Sequence, residues 1–160
     1  MTALRRLYID TNVFARAFEA SADLGGHVRD MLTRLRGQPG FAVTSELTLA
    51  ELTAPINRPD AMPFEERKRL YFNLLVRSRF IDLQPVSRAV LIETSEFRRQ
   101  ALSKGRKPKL PDSIHVVTAM RSGCSYLMSN DAGMGPLPNS ISAISSQTAD
   151  VAAIMRELHA

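Results

Sequence analysis

The stretch Leu7-Tyr8-Ile9-Asp10-Thr11-Asn12-Val13-Phe14 decides the fold. Three apolar residues ending on an acid read as a short buried strand. Asp10, Thr11 and Asn12 then offer capping side chains to a helix. Val13, Phe14, Ala17 and Phe18 fall at i, i+1, i+4 and i+5, which makes one helical stripe. The chain therefore opens as strand, turn and helix, with Asp10 at the strand's carboxyl end.

The alternation continues outward. Val28, Met31, Leu32 and Leu35 mark a helix that Gly37-Gln38-Pro39-Gly40 ends. Phe41 to Thr44 reads as a second strand, and Ser45 caps a helix carrying Leu47, Leu49, Ala50 and Leu52. Glu65 to Val76 reads as a helix with Leu70, Phe72, Leu74 and Leu75 inside and Arg67-Lys68-Arg69 on a solvated face. Phe80 to Leu83 is a third strand, and Ala89 to Leu102 is a long amphipathic helix. Pro111-Asp112 opens another helix, with proline in the first turn, where a missing N–H is harmless. Tyr126 to Met128 is a fourth strand, Ile141 to Ile144 a candidate fifth, and Val151 to Leu158 a last helix. Strands alternating with helices across short loops make an α/β fold, its central sheet mainly parallel and of four to five strands. No repeat, low-complexity tract or linker interrupts the pattern, so residues 1–160 read as a single domain.

The 160 residues suffice for a sizeable core, and 44% hydrophobic with 23% charged residues is ordinary globular usage. Cys124 is the one cysteine and there are three histidines, which excludes a disulfide-stapled scaffold and a Cys/His zinc site. No apolar run reaches the roughly 18–20 residues of a membrane span, and the N-terminus meets Asp10 too soon for a signal peptide. The expectation is a cytoplasmic protein with no membrane partner. A net charge of +5 favours phosphate-rich partners.

In an open parallel sheet, ligands collect outside the carboxyl ends of the strands. Asp10 ends strand one and Asp131 follows strand four. Asp112 opens the helix leading into that strand, and Glu51 lies on the helix after strand two. Of sixteen acids, only these four adjoin apolar strand ends or helix faces in this way. Glu46 competes with Glu51, but five residues turn a helix by about 500°, so the two cannot share a face. Acids converging near a core repel one another unless a cation sits among them. An all-oxygen set suits Mg²⁺ or Mn²⁺, which activates water and steadies phosphoryl charge. Joined to a basic chain, this chemistry points to phosphodiester hydrolysis.

These residues resemble the PIN-domain ribonucleases. Asp10-Thr11-Asn12 is similar to the family's opening motif, Ala50-Glu51-Leu52 to its second, and Leu110 to Ala119 (LPDSIHVVTA) to its third. Ser129-Asn130-Asp131 resembles the fourth, with serine where threonine is commoner. The resemblance runs from about residue 7 to 145. It implies a three-layer PIN-like fold and a metal-dependent endoribonuclease whose catalytic metal ligands are Asp10, Glu51, Asp112 and Asp131. Thr11, Asn12, Ser129 and Asn130 are the supporting residues. The chain's size also resembles the VapC-type toxins of toxin–antitoxin pairs, which implies an RNA substrate, a cognate antitoxin and a homodimer. One departure stands out: Ala132-Gly133-Met134-Gly135-Pro136 follows Asp131, where the family often has an Asp and a Phe.

Each residue also has a plainer reading. Asp10, Thr11 and Asn12 can serve only as helix caps, and for Thr11 and Asn12 capping is the first expectation. Asp112 suits the positive end of a helix dipole in any protein, and Asp131 can simply close a turn. His115 lies one turn beyond Asp112 and reads as a hydrogen-bonded structural residue, since an activating metal needs no histidine base. Arg98, Arg99, Lys104, Arg106, Lys107 and Lys109 crowd the segment before Asp112 and are the candidate RNA-phosphate contacts, against the plainer reading of a solvated helix end. With no Trp, a base-stacking platform is disfavoured. Asn12 stands where a haloacid-dehalogenase-type phosphatase needs a second Asp, and glycine patterns for dinucleotides or a P-loop are absent. A non-catalytic RNA- or partner-binding PIN module and a housekeeping RNA-processing nuclease remain as alternatives.

Overall fold

The computed structural model describes residues 5–131, 134, 135 and 137–158. Ala132, Gly133 and Pro136 of the segment after Asp131 lie outside the described residues. The elements are β1 (Arg6–Ile9), α1 (Thr11–Glu19), α2 (Ala22–Leu35), β2 (Ala42–Ser45), α3 (Glu46–Leu52) and α4 (Phe64–Phe72). A π-helical turn (Asn73–Arg77) follows, then β3 (Ile81–Gln84), α5 (Arg88–Ser103), α6 (Leu110–Arg121), β4 (Cys124–Met128), β5 (Ser142–Ile144) and α7 (Thr148–Glu157).

All strand pairings are parallel, in the order β3-β2-β1-β4-β5. Strand alternation sends Leu7, Ile9, Ala42, Ile81 and Met128 to one face, where they pack with residues of α1, α2, α4, the π turn and α7. Tyr8, Val43 and Leu127 point to the other face, against Val116 and Ala119 of α6. Val90 of α5 joins Ile114 and Val117 of α6 in a further cluster. The result is the three-layer architecture expected from the resemblance. Because α6 is covered by both the sheet and α5, Ser113 to Ala119 are buried without a break. No helix among the described residues is long and apolar enough to cross a membrane.

Strand order fixes where a site can form. From β1 the chain steps outward through β2 to β3, then returns to place β4 on β1's other side. The crevice between the carboxyl ends of β1 and β4 is thus the topological switch point. β4 and β5 are joined by a parallel crossover, and among its described residues no α-helix forms.

The sequence reading of α4 needs correction. Residues 67, 71, 74 and 75 form the inward stripe: Arg67 is 1% exposed and Tyr71 fully buried, while Phe72 is 40% exposed. Arg67 is therefore not on a solvated face. Its Nη2 donates to the Ala54 carbonyl, and its Nη1 lies 3.9 Å from Glu19 Oε1, whose other oxygen accepts from the Tyr71 hydroxyl at 2.6 Å. Arg67 Nε and Nη1 have no hydrogen-bond partner, so Glu19 offsets the buried charge largely through space. Glu19→Ala leaves that cation uncompensated and is expected to cost on the order of 3 kcal/mol in urea denaturation, more than Arg67→Met. Equal losses would assign the energy to the pair rather than to the stranded charge.

Candidate active site

Asp10 caps α1 at the end of β1, only 5% exposed. Its backbone N–H donates to the Met128 carbonyl at 3.0 Å, tying the ends of β1 and β4 together. One carboxylate oxygen accepts from the Thr11 N–H at 2.8 Å, and the other from Ser129 Oγ at 2.8 Å. Ser129 Oγ in turn accepts from Asn12 Nδ2 at 3.2 Å and from the Asp131 N–H at 3.0 Å. Asn12 Oδ1 accepts from the Asn130 N–H at 3.0 Å. Thr11 and Asn12 are therefore bridges between separate chain segments rather than caps. Thr11 Oγ1 donates to Glu51 Oε2, and Asn12 clasps the turn after β4.

Glu51 is brought in by α3. Thr44 Oγ1, at the end of β2, donates to the Ile9 carbonyl at 2.8 Å and sits 2.8 Å from Thr48 Oγ1 of α3. Ser45 caps α3 by accepting from the Leu47 N–H. Glu46 is exposed, while Glu51 reaches Thr11 and His115.

His115, expected as a hydrogen-bonded structural residue one turn beyond Asp112, stands among the candidate acids. It is 1% exposed, with Nε2 3.0 Å from Glu51 Oε2 and 3.6 Å from Asp10 Oδ1, and Nδ1 2.6 Å from the Tyr8 hydroxyl. Burial, and secondarily Asp10, hold the Tyr8 hydroxyl well above its usual ionisation range. An ionised carboxylate only accepts, so Nε2 is the donor to Glu51. The signal was present in the third motif, one turn after Asp112, but the histidine's partners come from β1 and α3.

The carboxyls respond differently to this setting. Burial pushes Asp10 up and Glu51 adds to it, and together they outweigh His115, Ser129 and the Thr11 N–H. Burial also raises Asp112, reinforced by Asp131 and Asp10 and opposed by His115 and Lys109. Glu51 is pushed up by burial too, but the hydrogen bonds from His115 and Thr11 win and hold it below its ordinary value. Asp10, Glu51, Asp112 and Asp131 are thus linked through one chain of electrostatic contacts at the switch point. Among the described residues, no three His, Cys, Asp or Glu side chains stand arranged to hold a metal ion. The fit to a divalent cation is therefore one of donor chemistry, not of a ready-made cage.

The basic segment divides. Lys109 precedes α6 and acts on Asp112. Arg99 pairs with Glu96, and Arg98 Nε donates to the Pro108 carbonyl. Arg98, Arg99, Arg106 and Lys107 line a groove of about 340 Å³, and Lys104 and Arg106 line another of about 500 Å³.

The family model for the PIN domain matches residues 7–135, well over half of the chain. The chain belongs to the PIN domain family. Its fold is similar to VapBC2 from Rickettsia felis bound to a DNA fragment from its promoter, at 16% identity and TM-score 0.65, covering 87% of this chain and 97% of that one. It is also similar to FitAcB from Neisseria gonorrhoeae, at 18% identity and TM-score 0.57, covering 80% and 89%. A structure of FitAB bound to an IR36 DNA fragment matches at 15% identity and TM-score 0.56, covering 87% and 94%. No curated protein matches the sequence.

The opposed carboxyl shifts have opposite consequences for this PIN domain. Asp112 binds its proton more tightly folded than unfolded, so its ionisation destabilises the fold as pH rises through and above the usual aspartate range. Glu51 contributes stability above its unfolded pKa that is lost as pH falls through its lowered folded value. Melting in EDTA between about pH 3 and 6 should therefore show Glu51→Gln losing ground on the wild type as pH rises toward the usual glutamate range, and Asp112→Asn gaining on it as pH rises beyond the usual aspartate range. Parallel curves for all three proteins would break the electrostatic link.

Proposed function

We propose that this chain is a metal-dependent endoribonuclease of the VapC type, the toxin of a toxin–antitoxin pair. The observation that carries the reading is the electrostatic linkage, at the β1–β4 switch point, of four acids from four separate motifs: Glu51 acts on Asp10, and Asp10 and Asp131 act on Asp112. Asp10, Glu51, Asp112 and Asp131 would hold Mg²⁺ or Mn²⁺. When bound, the ion supplies an acidified water and charge stabilisation for phosphodiester hydrolysis.

The protein's own part is positional. Ser129 and the Thr11 N–H fix both oxygens of Asp10, and His115 and Thr11 keep Glu51 ionised and aimed inward. Asn12 clasps the turn that carries Asp131. Outside this rim, Arg98, Arg99, Lys104, Arg106, Lys107 and Lys109 offer cations to RNA phosphates. Likeness to VapBC2 supports a cognate antitoxin as partner, and the same family reading carries a homodimer, a single domain and a cytoplasmic location. The absence of a preformed metal cage among the described residues favours, as second reading, a PIN module that binds RNA without cutting it.

Cleavage of mixed RNA by antitoxin-free protein with Mg²⁺, Mn²⁺ or EDTA separates the two. Asp10→Asn should abolish metal-dependent cutting while leaving the melting profile cooperative; full activity in that variant would sink the site assignment. Replacing Arg106 and Lys107 with alanine should weaken RNA binding and lower the slope of log K against log salt by about one to two units. An unchanged slope returns that segment to a solvated surface.

A further inference from the structure

Met134, in the connection between β4 and β5, is buried against a cluster that includes Leu127 and Ile141. Beside it lies a cavity of about 500 Å³, within the usual span of ligand sites. Its lining includes the apolar Leu127, Met134 and Ile141 and, toward the acids, Asn130 and Asp131.

We propose that this cavity is a nucleobase subsite, seating the base adjacent to the phosphate held at the acids. The inference rests on the nuclease reading for its substrate. An unstacked RNA base is a flat, largely apolar ring with a polar edge, and it packs between apolar side chains while its edge is read by hydrogen bonds. The polar groups lining the cavity differ in their freedom. Asn130 Oδ1 accepts from Ser146 Oγ, and Ser145 Oγ donates to Asp150 at 2.7 Å. Gln147, just before α7, is exposed, and its carboxamide has only a 3.5 Å contact from Arg16. A carboxamide pairs a donor with an acceptor, the pattern that matches adenine. The occupant is a nucleotide rather than a peptide because of what lies next door. Leu137 lines both this cavity and the groove carrying Lys104 and Arg106, so a backbone leaving the subsite meets cations.

The test uses the full chain and two variants outside the acid set: Ala143→Phe, which fills the cavity from β5, and Gln147→Ala. Randomised RNA is cleaved with Mn²⁺ and the ends sequenced. In parallel, an oligoribonucleotide carrying 8-vinyladenine, a fluorescent base that keeps the N6 amino group and N7, in place of adenine is titrated in EDTA, and melting curves check folding. The wild type should favour adenine at one position beside the cut, by about tenfold or more. Gln147→Ala should erase most of that preference, and Ala143→Phe should erase it along with the 8-vinyladenine signal. An unchanged base preference or an unchanged 8-vinyladenine signal in folded Ala143→Phe overturns the subsite. If the wild type cuts nothing but its 8-vinyladenine signal is lost in Ala143→Phe, the subsite stands and the nuclease reading falls. A wild type that binds the oligonucleotide without altering 8-vinyladenine fluorescence overturns the subsite and leaves a protein side chain as the better occupant.

Discussion

Burial of the Asp10 carboxylate organises the carboxyl edge of the sheet. A charge so enclosed is costly unless donors surround it, and the donors here come from both sides of the switch point. The Thr11 N–H belongs to the helix that Asp10 caps, and Ser129 belongs to the turn after β4. Satisfying Asp10 therefore fixes where β4 ends, and with it where Asp131 stands. The same economy brings in α3, because Thr11 serves Glu51 with its hydroxyl while its backbone serves Asp10. A local need for hydrogen bonds thus becomes a long-range constraint on the fold.

The element order and the positions of the four acids were legible because an acid ending an apolar run is an interruption the sequence displays. The buried face of α4 was not. Arg67 looks like a surface residue by type, and the partners that let it lie inside, Glu19 of α1 and the Ala54 carbonyl, lie outside its own helix. Thr11 and Asn12 misled in a related way, since capping is a local explanation and their partners lie far away in sequence. His115 was assigned to structure, which is half of its situation: Tyr8 ties it to the core and Glu51 ties it to the acids. The cavity beside the β4–β5 connection had no signal beyond an unusual composition, because its lining comes from β4, β5 and the chain flanking them, which meet only in the fold.

The site is also where the fold spends stability. Asp10 and Asp112 are carboxyls the protein would sooner keep protonated, while Glu51 is one it keeps charged. Environments that push like groups apart occur at functional sites and in structural ion-pair networks alike. The contrast with Arg67 is instructive: there a buried charge has a single dedicated counter-charge, here several acids share a histidine and a lysine.

The rims of the sheet bear on how copies of the molecule can meet. β5 has three residues and β3 has four, the latter followed by Pro85, which has no N–H to donate. Lateral addition of a foreign strand would therefore gain few backbone hydrogen bonds on either side, the protection that short, interrupted borders give against runaway polymerisation. Exposed apolar residues lie instead mostly on helices, and α5 turns Leu91, Ile92 and Leu102 outward to water.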